Sequence, residues 1–183
     1  ARVRPPIFDS ALQAALERRA VEFLGLGLLA LSGLTAMMFT SYAPEDPSWL
    51  SASDAPVQNI LGSFGAMIAA PIMLIFGLSA WSLVAIQAVW GLRCLLHRGA
   101  HRALGRLIFP SFGVAVFAIY AAGFVPPASW GNNFGLGGLF GDTVLKTLLR
   151  LLPFAAQLTL TYTFFATGIT LVLIGLVCFG VPK

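Results

Sequence analysis

Residues 93–106, RCLLHRGAHRALGR, form a basic stretch with four arginines and two histidines. Long segments without Asp, Glu, Lys or Arg lie on both sides of it, from 55 to 92 and from 107 to 141. Two more uncharged segments cover residues 23–44 and 151–182. An uncharged apolar segment of about 18 or more residues can cross a bilayer core as a helix. The pattern therefore predicts four membrane crossings, with the basic stretch between the second and the third.

The composition of the chain also indicates a membrane protein. Of its 183 residues, 58% are hydrophobic and 10% are charged, whereas an average soluble domain has about 45–50% and 25%. No hydrophilic segment is long enough to fold separately, so we predict an all-α membrane protein with one membrane domain over residues 23–181. Residues 1–22 form a basic cytoplasmic lead-in helix, and residues 182–183 begin a cytoplasmic tail. The predicted transmembrane helices cover residues 23–41, 72–92, 107–125 and 155–180.

The distribution of positive charge predicts how these spans are oriented. If four spans alternate, nine of the eleven basic residues lie on one side of the membrane, and only Lys146 and Arg150 lie on the other. Cytoplasmic loops are enriched in Lys and Arg, so we predict two hairpins with both termini in the cytoplasm. This topology accounts for the net charge of +4 without nucleic acid as a partner. The arginines that set the topology and can contact anionic lipid headgroups are Arg93, Arg98, Arg102 and Arg106.

The segments before the second and fourth spans predict two short interfacial helices. Residues 55–92 exceed the roughly 20 residues that one crossing needs, which predicts a short helix up to Ala70 and a break or kink at Pro71 or Gly77. Asp142, Lys146 and Arg150 recur at four-residue spacing among leucines, a pattern typical of a helix in the membrane interface. A face of small residues on which another helix can pack closely is formed by Gly62, Ala66 and Ala70.

The two halves of the chain form a weak repeat. Each half has a span, an outer loop with a Ser-Trp pair, a glycine-rich apolar segment and a second span. The matching residues are Ser48 and Trp49 with Ser129 and Trp130, and Gly62 and Gly65 with Gly138 and Gly141.

Few residues of the chain could carry chemistry. Neither of the two lysines belongs to a phosphate-binding loop with the Gly-Lys-Ser/Thr pattern. Cys94, His97 and His101 could lie on one helical face and bind zinc. A fourth ligand is not evident and the neighbouring arginines repel a cation, so a solvated or lipid-facing turn is the preferred interpretation. We therefore predict no catalytic residue, no cofactor, no metal and no enzyme activity in these residues.

Polar side chains within the spans allow two interpretations. They could line a transport path, or they could form hydrogen bonds between helices. The predicted spans hold no Asp, Glu, Lys or Arg, and coupled transporters usually need an ionisable residue in the membrane, so hydrogen bonding is favoured. The residues concerned are Thr159, Thr163, Thr167 and Thr170 in the fourth span and Ser79, Ser82 and Gln87 in the second.

The first outer loop carries a specific motif. Residues 41–49, SYAPEDPSW, resemble the Ser-Tyr-x-Pro-x-Asp-Pro-Ser-Trp signature of the N-terminal membrane domain of FtsK/SpoIIIE-type DNA translocases. Residues 59–66, 76–77 and 137–141 resemble other segments of that domain, so the resemblance covers nearly the whole chain. Its periplasmic motif consists of Ser41, Tyr42, Pro44, Asp46, Pro47, Ser48 and Trp49.

The resemblance implies a four-helix domain of the bacterial inner membrane with both termini cytoplasmic. In this family of chromosome-segregation proteins, the domain anchors the protein at the division septum, supports divisome assembly and favours oligomers. A linker and a hexameric ATP-driven DNA motor normally follow, so we expect either the membrane part of a longer protein or a short relative that kept only the anchor. The partners expected are the lipid bilayer, other membrane proteins and further copies of the chain, with no direct contact of this segment with nucleic acid.

Two other functions stay open at this point. A short accessory subunit of another inner-membrane complex, such as an energy-transducing one, would pack its glycine and alanine faces on partner helices or pigments. A small-solute transporter would use the threonine stripe. A long polar linker and a Gly-x4-Gly-Lys-Ser/Thr motif beyond Lys183 would favour the translocase.

Overall fold

The computed structural model of the chain describes residues 10–97, 108–152 and 155–179. Within these ranges the secondary structure is helical and includes no β-strand, which confirms the all-α prediction. Two short 3-10 segments, Gly77–Ala80 and Ala128–Trp130, accompany the α-helices. The α-helices are α1 (Ser10–Thr40), α2 (Gly62–Phe76), α3 (Trp81–Leu95), α4 (Ile108–Ala122), α5 (Gly138–Leu151) and α6 (Ala156–Phe179).

Among the residues that the structure describes, three helical segments are long and apolar enough to cross a membrane, namely Leu12–Thr40, Gly62–Leu95 and Ala156–Cys178. The segment Phe109–Ala122 is apolar but shorter. It lies where the third span was predicted, over residues 107–125, and α4 has 15 residues against the roughly 20 of a full crossing. The apolar character of all four predicted spans is therefore present in the structure, and the number of crossings stays a prediction.

Helices α1 and α3 run side by side in opposite directions. An added Cβ on Gly25 would lie 2.8 Å from the carbonyl oxygen of Gly91, so the two backbones approach closely. Further along, the Ser32 hydroxyl donates a hydrogen bond to the carbonyl of Val84 at 2.9 Å. Small residues permit such close packing where lipid gives helices little hydrophobic reason to associate. At the end of this pair where α1 finishes, a buried cluster consists of Met38, Phe39, Ala69, Met73 and Ala80.

Helices α4 and α6 form the second antiparallel pair. The rings of Tyr120 and Phe164 are stacked with centroids 4.6 Å apart, and an added Cβ on Gly113 would touch Ile174 at 3.4 Å. The short helices α2 and α5 contact each other between the two pairs, where the Phe76 ring lies 6.1 Å from that of Phe140.

The break before α3 lies at Gly77, while Pro71 is accommodated inside α2. Gly77 has φ +57°, and the N–H of the following Leu78 donates to the carbonyl of Leu136 at 2.8 Å. A left-handed backbone favours glycine, so the helix interruption follows from this residue. The predicted second span of residues 72–92 is thus divided between the end of α2, a 3-10 turn and α3.

Candidate functional site

The connection between α1 and α2, which we call the outer loop (residues 41–61), is closed at its base by a buried carboxylate. Asp46 is 2% exposed and accepts hydrogen bonds from the backbone N–H groups of Gln58 at 2.8 Å and Asn59 at 3.1 Å. Hydrogen bonds to a charged acceptor are stronger than neutral ones. Asp46 therefore ties the beginning of the outer loop to its end.

Hydrogen bonds also join the base of the outer loop to the end of α1. The Asn59 side-chain amide donates to the carbonyl of Met38 at 2.9 Å. The Ser41 hydroxyl donates to the carbonyl of Met37 at 2.7 Å and accepts from the N–H of Ile60 at 3.0 Å. The last carbonyls of a helix have no partner within the helix, so these bonds satisfy them and fix the outer loop to α1.

Tyr42 packs at the inner side of the outer loop. Its ring lies against the buried cluster at the end of α1. Burial of the phenol, and then the negative charge of Asp46, raise the pKa of Tyr42 above its ordinary value. Pro44 and Pro47, which cannot donate backbone hydrogen bonds, keep this stretch out of a helix.

Residues 48–51 form a tight turn at the tip of the outer loop, which we call the Trp49–Leu50 turn. Ser48 and Ser51 exchange backbone hydrogen bonds at 3.0 and 3.3 Å, and the N–H of Leu50 donates to the Ser48 hydroxyl at 3.3 Å. Trp49 is 80% exposed and Leu50 is 55% exposed. The hydrogen-bonded backbone thus presents two apolar side chains outward.

In the connection between α4 and α5, the tryptophan packs within the chain instead of being exposed. Trp130 donates its indole N–H to the carbonyl of Phe134 at 2.7 Å and packs against the cluster at the end of α1. An aspartate is again present, since Asp142 accepts from the N–H of Gly135 at 3.0 Å. Within this connection, Leu136 and Gly137 are buried where it meets α5, while residues 123–129 are exposed.

The glycines at the starts of α2 and α5 have the same backbone conformation. Gly62 has φ +65° and Gly138 has φ +64°. The N–H of Gly62 donates to the carbonyl of Asn59, three residues earlier, and the N–H of Gly138 donates to that of Gly135. The structure therefore gives Gly62 and Gly138 equivalent local geometry, as the match between the two halves predicts.

Gly138 and Gly77 lie backbone to backbone where α2 meets α5, a contact we call the glycine junction. A Cβ added to Gly138 would lie 2.6 Å from the backbone nitrogen of Gly77, and one added to Gly77 would lie 2.6 Å from that of Gly138. On the other side of α5, a Cβ on Gly141 would collide with the carbonyl group of Ala118 in α4. Glycine at these positions lets α5 pack against α2 and α4 at once.

The small-residue face predicted on α2 has two parts. Ala66 and Ala70 are buried. Around Gly62, an added Cβ would meet no atom within 4 Å, so the structure gives this glycine a conformational role rather than a packing role.

Arg93 is the predicted topology residue that the structure describes. Its guanidinium donates to the carbonyl of Cys178 at 2.6 Å, in the last turn of α6. A cation near the C-terminal carbonyls of a helix is stabilised by the helix dipole, so this bond joins the two antiparallel helix pairs at one end. Three of the predicted basic residues lie outside the described residues, namely Arg98, Arg102 and Arg106.

The residues considered for a metal are not arranged as a site where the structure describes them. Cys94 is buried, while the His97 ring nitrogen lies 3.4 Å from a carboxylate oxygen of Glu22 in α1. His101 lies outside the described residues. Within the described ranges, no group of three or more His, Cys, Asp or Glu could hold a metal ion.

Several polar side chains of the spans bond to their own helix. Thr167 donates to the carbonyl of Thr163 at 2.7 Å and Thr170 to that of Ala166 at 2.7 Å. Ser79 likewise donates to the carbonyl of Phe76 at 2.7 Å. These three hydroxyl groups bond within their own helices, whereas the favoured interpretation placed such hydrogen bonds between helices.

Sequence reasoning gave no role to Asn59, to the packing of Gly77 on Gly138, or to the bond from Arg93 to α6. For Asn59 a signal existed, because the polar pair of Gln58 and Asn59 stands between apolar residues just before the glycines of α2. For the other two, the partners are distant in the chain and no local pattern connects them.

Comparisons with known proteins support the family resemblance of the sequence. Residues 17–178 match the model of the 4TM region of DNA translocase FtsK/SpoIIIE. The chain is 38% identical over 140 residues to the DNA translocase FtsK of Bradyrhizobium diazoefficiens, with 74% of the chain covered. It is 31% identical over 151 residues to that of Azospirillum brasilense, with 81% covered, and 39% identical over 135 residues to that of Brucella melitensis, with 73% covered.

These matches concern a small part of each relative. They cover 16% of the Bradyrhizobium protein, 24% of the Azospirillum protein and 16% of the Brucella protein. No solved structure matches the chain.

Proposed function

The chain belongs to the 4TM membrane region of the FtsK/SpoIIIE DNA translocase family, and we propose that it anchors and assembles such a translocase at the division septum. The observation that carries this proposal is the family match over residues 17–178 together with apolar helices of membrane-spanning length. The curated relatives are named DNA translocases. Since the chain covers a small share of their length, any DNA motor would lie outside the matched membrane region.

The proposed topology has four crossings of the bacterial inner membrane, two hairpins and both termini in the cytoplasm. The antiparallel pairs α1 with α3 and α4 with α6 supply the two hairpins, and the basic stretch of residues 93–106 lies between them on the cytoplasmic side. Helices α2 and α5 lie near the outer ends of the pairs. The outer loop then faces the periplasm, where it can contact other division proteins.

In this proposal the residues of the chain perform assembly rather than catalysis. The outer loop, closed by Asp46 and fastened to α1 by Asn59, is the contact surface. Its fixed backbone lowers the entropy that a flexible loop would lose on binding. Arginines at the cytoplasmic ends of the spans contact anionic lipid headgroups, each worth about 1 kcal/mol.

The test is the position of a fluorescent fusion of residues 1–183 in dividing bacterial cells. We expect a band at midcell. The matched variant Asp46→Ala, which opens the base of the outer loop, should keep membrane fluorescence and lose most of the midcell band. Uniform fluorescence around the cell from the unchanged fusion would contradict the proposal.

A further inference from the structure

The Trp49–Leu50 turn presents two exposed apolar side chains, which makes it a candidate surface for contact with another molecule. Backbone hydrogen bonds hold both of its ends, and Trp49 is 80% exposed while Leu50 is 55% exposed. The corresponding tryptophan of the second half, Trp130, is used for packing within the chain. Tryptophan is among the residue types most enriched at the energetic centre of protein interfaces.

The charges around this turn are all negative. Glu45 and Asp54 are exposed on the outer loop, and residues 23–92 contain no Lys or Arg. The third acid of the loop, Asp46, is occupied by the N–H groups of Gln58 and Asn59. Two exposed carboxylates therefore flank the Trp49–Leu50 turn. Every ion pair among the described residues includes Glu22, and none includes Glu45 or Asp54.

A complementary surface lies on α5. Gly138, Gly141 and Leu145 of this helix are buried, while the opposite side is exposed along its whole length and carries both basic residues of this helix. Leu151 at its end is 74% exposed. This surface, which we call the α5 stripe, consists of Leu139, Thr143, Lys146, Thr147, Arg150 and Leu151.

We propose that the Trp49–Leu50 turn of one copy docks on the α5 stripe of a second copy, with Glu45 and Asp54 facing Lys146 and Arg150. This inference rests on the topology given under the proposed function, which places the outer loop and α5 on the same side of the membrane. The two surfaces differ, so the contact is head-to-tail, and repeated contacts of this kind close into a ring or extend as a chain.

Charge favours a second copy over lipid as the occupant. An anionic lipid headgroup could bind Lys146 and Arg150, but it would repel the loop that carries Glu45 and Asp54. A second copy offers each surface its opposite charge. Exposed ion pairs contribute little on their own, so Trp49 and Leu50 must supply most of the affinity by burial between Leu139 and Leu151.

Disulfide cross-linking between two differently tagged copies of the chain tests the contact. One chain carries Leu50→Cys and the other Thr147→Cys, and both are coexpressed and oxidised in native membranes. The native Cys94 and Cys178 are buried, which keeps the background low. We expect a product that contains both tags. The matched control replaces Thr147→Cys by Thr161→Cys, an exposed threonine of α6, and should give no such product.

Further substitutions added to the cysteine variants then test which side chains stabilise the contact. Trp49→Ala should lower the yield of the mixed product at least about tenfold, as for a residue at the centre of an interface. Asp54→Lys should lower it about fivefold, and adding Lys146→Asp in the partner chain should restore most of the loss. The restoration separates a direct contact from misfolding, because misfolding by two substitutions would not be reversed by combining them.

Three outcomes would overturn the inference. They are the absence of a mixed product, a mixed product that Trp49→Ala leaves unchanged, and a loss by Asp54→Lys that Lys146→Asp does not restore, as expected if Lys146 binds lipid. Labelling of the two introduced cysteines in intact cells with a membrane-impermeant maleimide checks the topology separately. If both cysteines label and no mixed product forms, the interface is wrong while the proposed topology and anchoring function stand.

Discussion

The connection between α1 and α2 and the connection between α4 and α5 share a backbone conformation at their ends and differ in the side chains that hold them. Each ends in a glycine with φ near +65° that begins a short helix, and each uses an aspartate as an acceptor of backbone N–H groups. In the first, Asp46 precedes the segment that it holds. In the second, Asp142 follows it, inside α5. The turn geometry of the repeat has thus been kept while the side chains that stabilise it differ.

The glycines three residues further along, Gly65 and Gly141, show how the packing of the two connections differs. A Cβ on Gly65 would collide with the side chain of Asn59, whereas one on Gly141 would collide with the backbone of Ala118 in α4. The first connection is therefore closed by polar side chains and leaves its tip exposed. The second is closed by direct helix packing where it meets α5, while residues 123–129 are exposed. The two connections thus share a glycine conformation and differ in the contacts that close them.

The largest expected change in unfolding free energy comes from alanine substitution at Gly138, compared with the same substitution at Gly62, which has nearly the same φ. Gly138→Ala should cost at least about 3 kcal/mol, because its Cβ would overlap the backbone of Ile75 and Gly77 in addition to the strain of a left-handed conformation. Gly62→Ala should cost only the strain, about 1–2 kcal/mol, since nothing lies within 4 Å of its Cβ. Thermal unfolding of the chain in detergent micelles, followed by circular dichroism, measures both. Equal losses would mean that the glycine junction does not restrict packing.

Next in size is the contrast between the two aspartates. Asp46→Ala leaves two backbone N–H groups without their acceptor in a buried place, at a cost of about 2–4 kcal/mol. Asp142→Ala removes the acceptor of one N–H group in a half-buried place and should cost about 1 kcal/mol. The same unfolding measurement compares them. A larger loss for Asp142→Ala would show that the second connection depends on its polar bond more than on packing.

A feature of the fold or of the outer loop could be predicted from the sequence only where residues close together in the chain determine it. The apolar segments, the helical class and the match of Gly62 with Gly138 follow from short stretches of sequence, because uncharged length and glycine placement are local properties. Asp46 was included in the family motif, but its partners at Gln58 and Asn59 were not predicted. The bond from Arg93 to Cys178 joins residues 85 apart. Helices α2 and α4 are apolar on all sides and give no stripe from which their neighbours could be inferred, so the packing of α5 between them required the structure.

A smaller effect distinguishes the two tryptophans. Trp130→Phe removes the hydrogen bond to the carbonyl of Phe134 and should cost about 1 kcal/mol in unfolding free energy. Trp49→Phe should leave stability within about 0.5 kcal/mol, because the side chain is 80% exposed. Unfolding in micelles separates these outcomes. A loss of stability from Trp49→Phe in the isolated chain would show that Trp49 packs within its own chain, contrary to its use as a contact residue.

The smallest effect concerns Tyr42, which lies half-buried at the inner side of the outer loop. Burial and the nearby Asp46 raise its pKa in the folded protein, so the neutral phenol is favoured there relative to the unfolded chain. The folded state then holds its proton more tightly, and stability is fully present below the unfolded pKa of about 10 and falls as pH rises above it. Tyr42→Phe should reduce this alkaline loss. Asp46→Asn should reduce it partly, because the carboxylate charge is the second cause of the shift.

The alkaline titration can be followed directly, since tyrosinate absorbs in the near ultraviolet. The chain has three tyrosines, and the difference between the unchanged chain and Tyr42→Phe gives the titration of Tyr42 alone. A midpoint at or below about 10 would mean that water reaches the phenol, and hence that the outer loop opens at its base in solution. A raised midpoint that falls when Asp46 is replaced by Asn would place the carboxylate beside the phenol, as the closed outer loop requires.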